Sequence, residues 1–252
     1  MHSIMLIYYV VLFIYGIVIG SFVNVLIYRL PKCEDIVKMR SHCTSCGYQL
    51  RWFDLIPIVS YVLYRGKCRK CGQRISIQYP LVEALNGILY ILVGMVYGIC
   101  IDTVFLCLLS SILVAIAVID FRTMIIPPML NYMIGFLGII RMIIDYRHFA
   151  NYMIGFLSVS LFLLILYMIS HGKWIGGGDI KLMAATGLLI GWKLNILAFF
   201  LGCIYGSVIH ILRMKISHKG HVLALGPYLA AGVMTAVLFG DRLISWYFDG
   251  IM

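Results

Sequence analysis

Apolar residues run along this 252-residue chain in long blocks separated by polar segments. The blocks cover residues 4–28, 82–101, 103–119, 129–144, 150–170, 182–192, 194–212 and 226–247. A helix needs about 20 apolar residues to cross a bilayer. The pattern therefore predicts an all-α polytopic membrane protein with about eight transmembrane helices. The block at 182–192 is too short to span alone and reads as a half-helix. The first block does not read as a cleavable signal: Met1-His2-Ser3 carries no basic n-region, and the block continues into Asn24 and Tyr28 without a small-residue cleavage site. One long polar stretch, 29–80, separates the first block from the second. Three parts follow: a first transmembrane helix over 1–28, an insert over 29–80, and a helical bundle over 81–252. No internal repeat is evident.

Composition sharpens this. Hydrophobic residues make up 63% of the chain and charged residues only 12%. Soluble domains carry roughly a quarter charged residues, so a soluble enzyme is excluded. Disorder is excluded too, because it needs low hydrophobicity. The net charge is nevertheless +10, and most of it sits in the insert. Residues 29–80 hold ten of the twenty basic residues against three acids, Glu34, Asp35 and Asp54. Positive loops stay on the cytoplasmic side. Alternating the spans from there puts Arg122, Lys173, Lys181, Arg213, Lys215 and Lys219 inside, and Arg141, Arg147, Lys193 and Arg242 outside. Sixteen basic residues inside against four outside is self-consistent, with both termini outside. The basic patch thus reads as an orientation signal toward the lipid bilayer, with no nucleic acid as partner.

The insert carries two C-x-x-C-G knuckles, Cys43-Thr44-Ser45-Cys46-Gly47 and Cys68-Arg69-Lys70-Cys71-Gly72, with 21 residues between Cys46 and Cys68. Each knuckle turns two thiolates toward one point, and the glycine permits the tight turn behind them. Four thiolates complete a tetrahedral shell, so Cys43, Cys46, Cys68 and Cys71 are the candidate ligands of a structural Zn2+. A reducing cytoplasm argues against disulfides, and a small insert without its own apolar core needs a staple. Cys100, Cys107 and Cys203 read as packing residues.

Acids inside membrane segments are costly and usually functional. Asp120 closes the third block, and Asp179 follows Gly176-Gly177-Gly178. Charge counting and alternation bring both to the cytoplasmic ends of their helices. Two carboxylates at one depth suit aspartyl protease chemistry: one ionised to take a proton from water, the other protonated to polarise the scissile carbonyl. The three glycines, with Lys181, are candidate supporting residues, since they let a substrate strand lie close to the backbone. Pro127 and Pro128 break the chain just past Asp120. Glu83, at the inner end of the second block, is a weaker candidate.

Taken together, these residues resemble the type IV prepilin peptidase family, also called leader peptidase/N-methyltransferase, a group of GxGD aspartyl proteases. The resemblance covers nearly the whole chain. It rests on Gly20-Ser21-Phe22-Val23-Asn24 through Pro31, the double knuckle, Gln78-Tyr79-Pro80-Leu81-Val82-Glu83, Asp120 before Thr123-Met124-Ile125-Ile126-Pro127, the Gly-x-Gly-Asp motif ending at Asp179, and Leu225-Gly226-Pro227. It implies a bifunctional enzyme of the bacterial cytoplasmic (inner) membrane, serving type IV pili, type II secretion or competence. Such an enzyme cleaves the basic leader of prepilins and pilin-like proteins after a glycine, then methylates the new N-terminus with S-adenosylmethionine. The resemblance gives Asp120 and Asp179 the catalytic roles. It leaves the methyl-donor site to loose candidates, Gly20, Ser21 and Asn24. The leader's positive charges would meet the acids on the same side, Glu34, Asp35, Asp54 and Glu83. Two other readings stay open: an intramembrane aspartyl protease without methyl transfer, and a non-enzymatic zinc-bearing scaffold of a secretion system.

Overall fold

A computed structural model describes residues 2–216 and 224–249; Met1 and Lys219 lie outside them. It is all-helical, with two isolated β-bridges in the insert among the described residues. In chain order the helices are α1 (His2–Arg29), α2 (Val59–Leu63), α3 (Gln78–Tyr97), α4 (Ile101–Thr123), α5 (Pro128–Ile144), α6 (Phe149–Ile169), α7 (Gly177–Ile190), α8 (Trp192–Ile216) and α9 (Gly226–Asp249). Each of the eight apolar blocks is a helix, and α2 adds one short helix within the insert. Six helices (α1, α3, α4, α6, α8 and α9) are long and apolar enough to cross a membrane by length and composition. The chain is a multi-pass helical membrane protein. At about 1.5 Å per residue, α7 is only about 21 Å long, short of a hydrocarbon core of about 30 Å.

Element ends follow local chemistry. The second block was read to residue 101, but α3 stops at Tyr97 because Gly98 takes φ 68°. Conversely, α4 runs four residues past its apolar block and carries Asp120 in its last turn. Pro128 opens α5 at its first position, where a missing N–H costs nothing. α7 begins five residues before its apolar block, at the glycine run. It ends at Gly191, whose φ of 80° turns the chain straight into α8.

The chain divides into two compact units, residues 1–115 and 116–252, with the boundary inside α4. In the first unit α1 and α3 pack together through small residues. A Cβ on Gly16 would lie 2.6 Å from the Gly87 Cα, and one on Gly20 would lie 2.8 Å from the Glu83 Cα. Small residues let helix backbones approach this closely in lipid. Buried amides stitch the pair: Asn86 Nδ2 donates to the Gly16 carbonyl at 2.7 Å, and Asn24 Nδ2 to the Tyr79 carbonyl at 3.0 Å. Tyr90 and Ser111 share a hydroxyl hydrogen bond at 3.0 Å, which ties α3 to the first part of α4.

In the second unit α7 is the buried centre, packed by α5, α6 and α8. α6 and α7 cross at Gly155 and Gly187, so closely that a Cβ on either would collide with the other's backbone. Asn195 of α8, fully buried, locks the crossing. Its Nδ2 donates to the Gly155 carbonyl at 3.2 Å and the Met183 carbonyl at 3.1 Å, and its Oδ1 accepts from the Thr186 hydroxyl at 3.0 Å. This network holds a helix too short to anchor itself across the bilayer.

Candidate active site and candidate metal centre

The second unit contains both membrane aspartates. Asp120 is 4% exposed and Asp179 is 8% exposed, although each sits near a helix end. Asp120 lies in the last turn of α4, one turn before the 124–127 loop. Its Oδ2 accepts the Gly226 backbone N–H at 2.9 Å, from the first residue of α9. That N–H is among the first four of a helix, which have no intrahelical partner, so the carboxylate satisfies an otherwise orphaned donor. Asp179 is the third residue of α7. Its backbone N–H donates to the Gly176 carbonyl at 3.1 Å, and its Oδ2 lies against Gly176, 3.1 Å from where a Cβ there would sit. Both aspartates lie in one compact unit, and the loop that follows Asp120 reaches the start of α7, where Ile126 packs on Gly178.

The glycine run fixes where α7 starts. Gly178 packs on Ile126, with the space for a Cβ only 3.0 Å from the Ile126 Cβ. The buried Asn131 of α5 donates from Nδ2 to the Gly178 carbonyl at 3.3 Å. Gly176 lies against Asp179 itself, whereas Gly177 faces open space. The three glycines thus have different duties. Lys181 is exposed, and its side chain has no hydrogen bond or ion pair among the described residues. Neither aspartate is half of a salt bridge to Lys181 among the described residues. Asn131 carries no motif of its own in the sequence, and Ile126, although part of the Thr123–Pro127 motif, shows its packing role only through contacts across the fold. At the far end of α7, Arg141 Nη1 donates to the Leu189 carbonyl at 2.6 Å.

In the first unit the four knuckle thiols converge. The Sγ atoms of Cys43, Cys46, Cys68 and Cys71 all lie within 4.8 Å of one another, and Cys43 and Cys71 are 3.9 Å apart. Four sulfurs at about 2.3 Å from a tetrahedral metal would sit about 3.8 Å apart. The cluster therefore fits one tetrahedral metal, and the cysteines are not disulfide-bonded. The knuckles repeat one backbone design. The Gly47 N–H bonds the Cys43 carbonyl and the Gly72 N–H the Cys68 carbonyl, both at 2.9 Å. Gly47 and Gly72 take φ 69° and 71°, which only glycine adopts freely. Backbone N–H groups of Cys46 and Ser45 pull the Cys43 thiol down to about 6, which favours the thiolate that a metal requires.

The candidates for a methyl-donor site separate. Gly20 is taken up by the close approach of α1 to α3. Ser21 and Asn24 instead line a cavity of about 430 Å3 between α1, α3 and the insert, and so does Glu83. The four acids read as partners for a basic leader are not a free set. Asp35 accepts the Val37 and Lys38 N–H groups, which hold its carboxyl below the usual range. Asp54 accepts the Arg51 N–H, and Glu83 is buried and accepts the Ile58 N–H at 2.8 Å. Local backbone donors claim three of the four carboxylates, while Glu34 Oε2 has no hydrogen-bond partner among the described residues; sequence alone could not reveal either.

Comparison with known proteins bears on both units. A model of the bacterial peptidase A24 N-terminal domain matches residues 14–97, and a model of the type IV leader peptidase family matches residues 107–211. A prepilin leader peptidase/N-methyltransferase of Bacillus subtilis (strain 168) is 36% identical over 242 residues, covering 94% of this chain and 96% of the relative. One from Pseudomonas putida is 30% identical, covering 91% and 90%. One from Aeromonas hydrophila is 28% identical, covering 100% and 97%. No solved structure gives a significant match. Matched from end to end by such relatives, and by both family models in the order of its two units, the chain belongs to the prepilin leader peptidase/N-methyltransferase family.

Proposed function

We propose that this protein is a bifunctional prepilin-processing enzyme, an aspartic endopeptidase that also methylates the N-terminus it exposes. The observation that carries the peptidase reading is the pair Asp120 and Asp179: both buried in one compact unit near helix ends, with Asp120 held by the Gly226 N–H and Asp179 set against Gly176. Carboxylates that feel each other's charge resist double ionisation. One then takes a proton from water while the other donates a proton to the scissile carbonyl. The Gly226 N–H holds the Asp120 carboxylate in place through the step. A glycine before the cut suits a narrow site between helix ends, because it brings no Cβ to clash. The apolar mature segment of a prepilin is a helix that would stay in lipid while the leader bond reaches the pair.

In this reading the insert and both aspartates face the cytoplasm, in the cytoplasmic membrane, as the charge balance favours. The four cysteines hold a structural zinc ion, which staples an insert lacking a core of its own. S-adenosylmethionine supplies an electrophilic methyl group when bound, and the basis for it here is the family. The domain division that fits this reading assigns methyl transfer to the insert and peptidase chemistry to the bundle.

The test uses purified protein in lipid nanodiscs with a prepilin substrate, separating cleavage from methylation by mass spectrometry of the mature N-terminus. Asp120→Asn and Asp179→Asn should each abolish cleavage while the protein keeps its helical content. Cleavage at the wild-type rate in either variant removes that residue from the mechanism. Cleaved but unmethylated pilin from the wild type would favour a protease without methyl transfer.

A further inference from the structure

One face of the insert is apolar, exposed and used by neither reaction. α2 is a short amphipathic turn. Ser60 and Tyr61 line the cavity beside Glu83, whereas Val59, Val62 and Leu63 are exposed, Leu63 to 71%. Trp52 opens the 3-10 turn Trp52–Leu55 and is 78% exposed. An exposed apolar patch on a basic, charged segment marks an interaction surface.

The fold sets the depth of this face. The Ile58 N–H, one residue before α2, donates to the Glu83 carboxylate at 2.8 Å. Ile58 holds φ 61° to do so, an unfavourable conformation for a β-branched residue. Glu83 lies five residues into α3, about 7.5 Å from its start at about 1.5 Å per residue. It also stands at the start of the apolar block that opens at residue 82. Residues 52–63 are therefore held level with the edge of the hydrocarbon. Leu81 and Leu85, on the same turns of α3, are exposed as well, so a lipid-facing surface begins at this level.

Charge completes the face. Trp52 and Leu55 also line an open hollow of about 760 Å3 together with Arg40 and Arg51, and no acid lines it. Neither guanidinium forms a salt bridge among the described residues. A planar guanidinium matches a pair of phosphate oxygens, and tryptophan is enriched where headgroups meet acyl chains. A basic leader has the wrong sign for this hollow, which sets it apart from the substrate path.

We propose that this face docks onto the bilayer surface, with α2 and Trp52 seated among the upper acyl chains and Arg40 and Arg51 holding the phosphate of an anionic phospholipid in the hollow. An apolar face and basic residues beside an anionic leaflet are the two halves of interfacial binding. Docking lays the insert along the same membrane from which both its ends, at Arg29 and Gln78, emerge.

The test uses full-length protein in nanodiscs of phosphatidylcholine, alone or mixed with phosphatidylglycerol, with acyl chains brominated just below the headgroup. The emission that belongs to Trp52 is the difference between the wild type and Trp52→Phe, all variants being checked first for wild-type helical content. In the anionic bilayer, quenching of that emission by more than half, falling at least twofold in the Arg40→Gln/Arg51→Gln double variant, supports the docking. No quenching in either bilayer overturns it. Equal quenching in both bilayers, unchanged in the double variant, overturns the headgroup site. A further arm adds inorganic phosphate to the phosphatidylcholine nanodiscs. A change in Trp52 emission equal to that from phosphatidylglycerol would assign the hollow to a free anion, and quenching that appears only with prepilin added would assign the face to substrate; either result overturns the proposal.

Discussion

Gly226→Ala puts the geometry around Asp120 to a quantitative test. A Cβ at residue 226 would lie 2.6 Å from Asp120 Oδ2, 3.0 Å from its Cγ and 3.1 Å from its Cβ, where ordinary contact begins at 3.4 Å. The carboxylate or the start of α9 must therefore move by about 0.8 Å. Moving straight away along that direction would stretch the 2.9 Å hydrogen bond from the Gly226 N–H beyond useful length. Losing a hydrogen bond to a charged group costs about 1.5–3 kcal/mol, and misplacing a reacting group by about 1 Å costs on the order of 100-fold in rate. The two figures agree, since a 100-fold loss is about 2.7 kcal/mol of barrier. Two nearby glycines provide an internal scale. At Gly176 a Cβ would lie 3.1 Å from Asp179 Oδ2, a milder clash, and at Gly177 nothing lies within 4 Å. Initial rates of prepilin cleavage in nanodiscs should therefore fall about 100-fold in Gly226→Ala, about tenfold in Gly176→Ala, and less than twofold in Gly177→Ala. Wild-type cleavage by folded Gly226→Ala, or a Gly177→Ala defect larger than that of Gly176→Ala, would refute the assignment of these glycines to the carboxylates.

Other expectations concern stability and metal content. Asn195→Ala strips partners from the Thr186 hydroxyl and from the Gly155 and Met183 carbonyls; a loss of about 1–3 kcal/mol is expected, seen as a lower midpoint in thermal unfolding, whereas an unchanged midpoint would show that the α6–α7 crossing does not depend on it. Emission spectrometry should find one zinc per chain, with four thiols becoming newly reactive after chelation and the metal lost in Cys68→Ser; a metal-free folded wild type would dismiss the centre. Hydrogen bonds from His148 and Tyr152, together with the nearby positive charge, hold the Asp145 carboxyl below its ordinary range. Its contribution to stability should be fully present above the ordinary carboxylate pKa and vanish as pH falls through the lowered value, so Asp145→Asn should flatten the acid limb of a stability–pH profile.

The family resemblance, the eight helical blocks and the two pairs of chemistry-bearing residues were legible along the chain for one reason. Each is a local departure from the surrounding composition: an acid in an apolar run, or two cysteines at a spacing that turns both thiols one way. The helix at 182–192 showed as too short to span, yet its start at Gly177 did not show, because that start is set by Ile126 and Asn131 from another element. Gly20 matched a family signature and proved to be occupied by helix packing. Glu83 looked marginal as an acid at a helix end and gained weight only once burial, the Ile58 N–H and a cavity met at it.

By itself the sequence determined the class of molecule and the number of apolar helices, and it marked out the carboxylates and thiols that stand in unusual surroundings. Those follow from the cost of charge in lipid and from backbone reach within a few residues, both properties of neighbours in the chain. Tertiary structure decided the rest. Asp120 meets the N–H of a residue 106 positions away, the thiols of two knuckles close on one point, and Asn195 ties three helices with one amide. Contacts of that kind depend on which helices pack against which, and hydrophobic patterning is nearly silent about pairing when every helix is apolar on most of its faces.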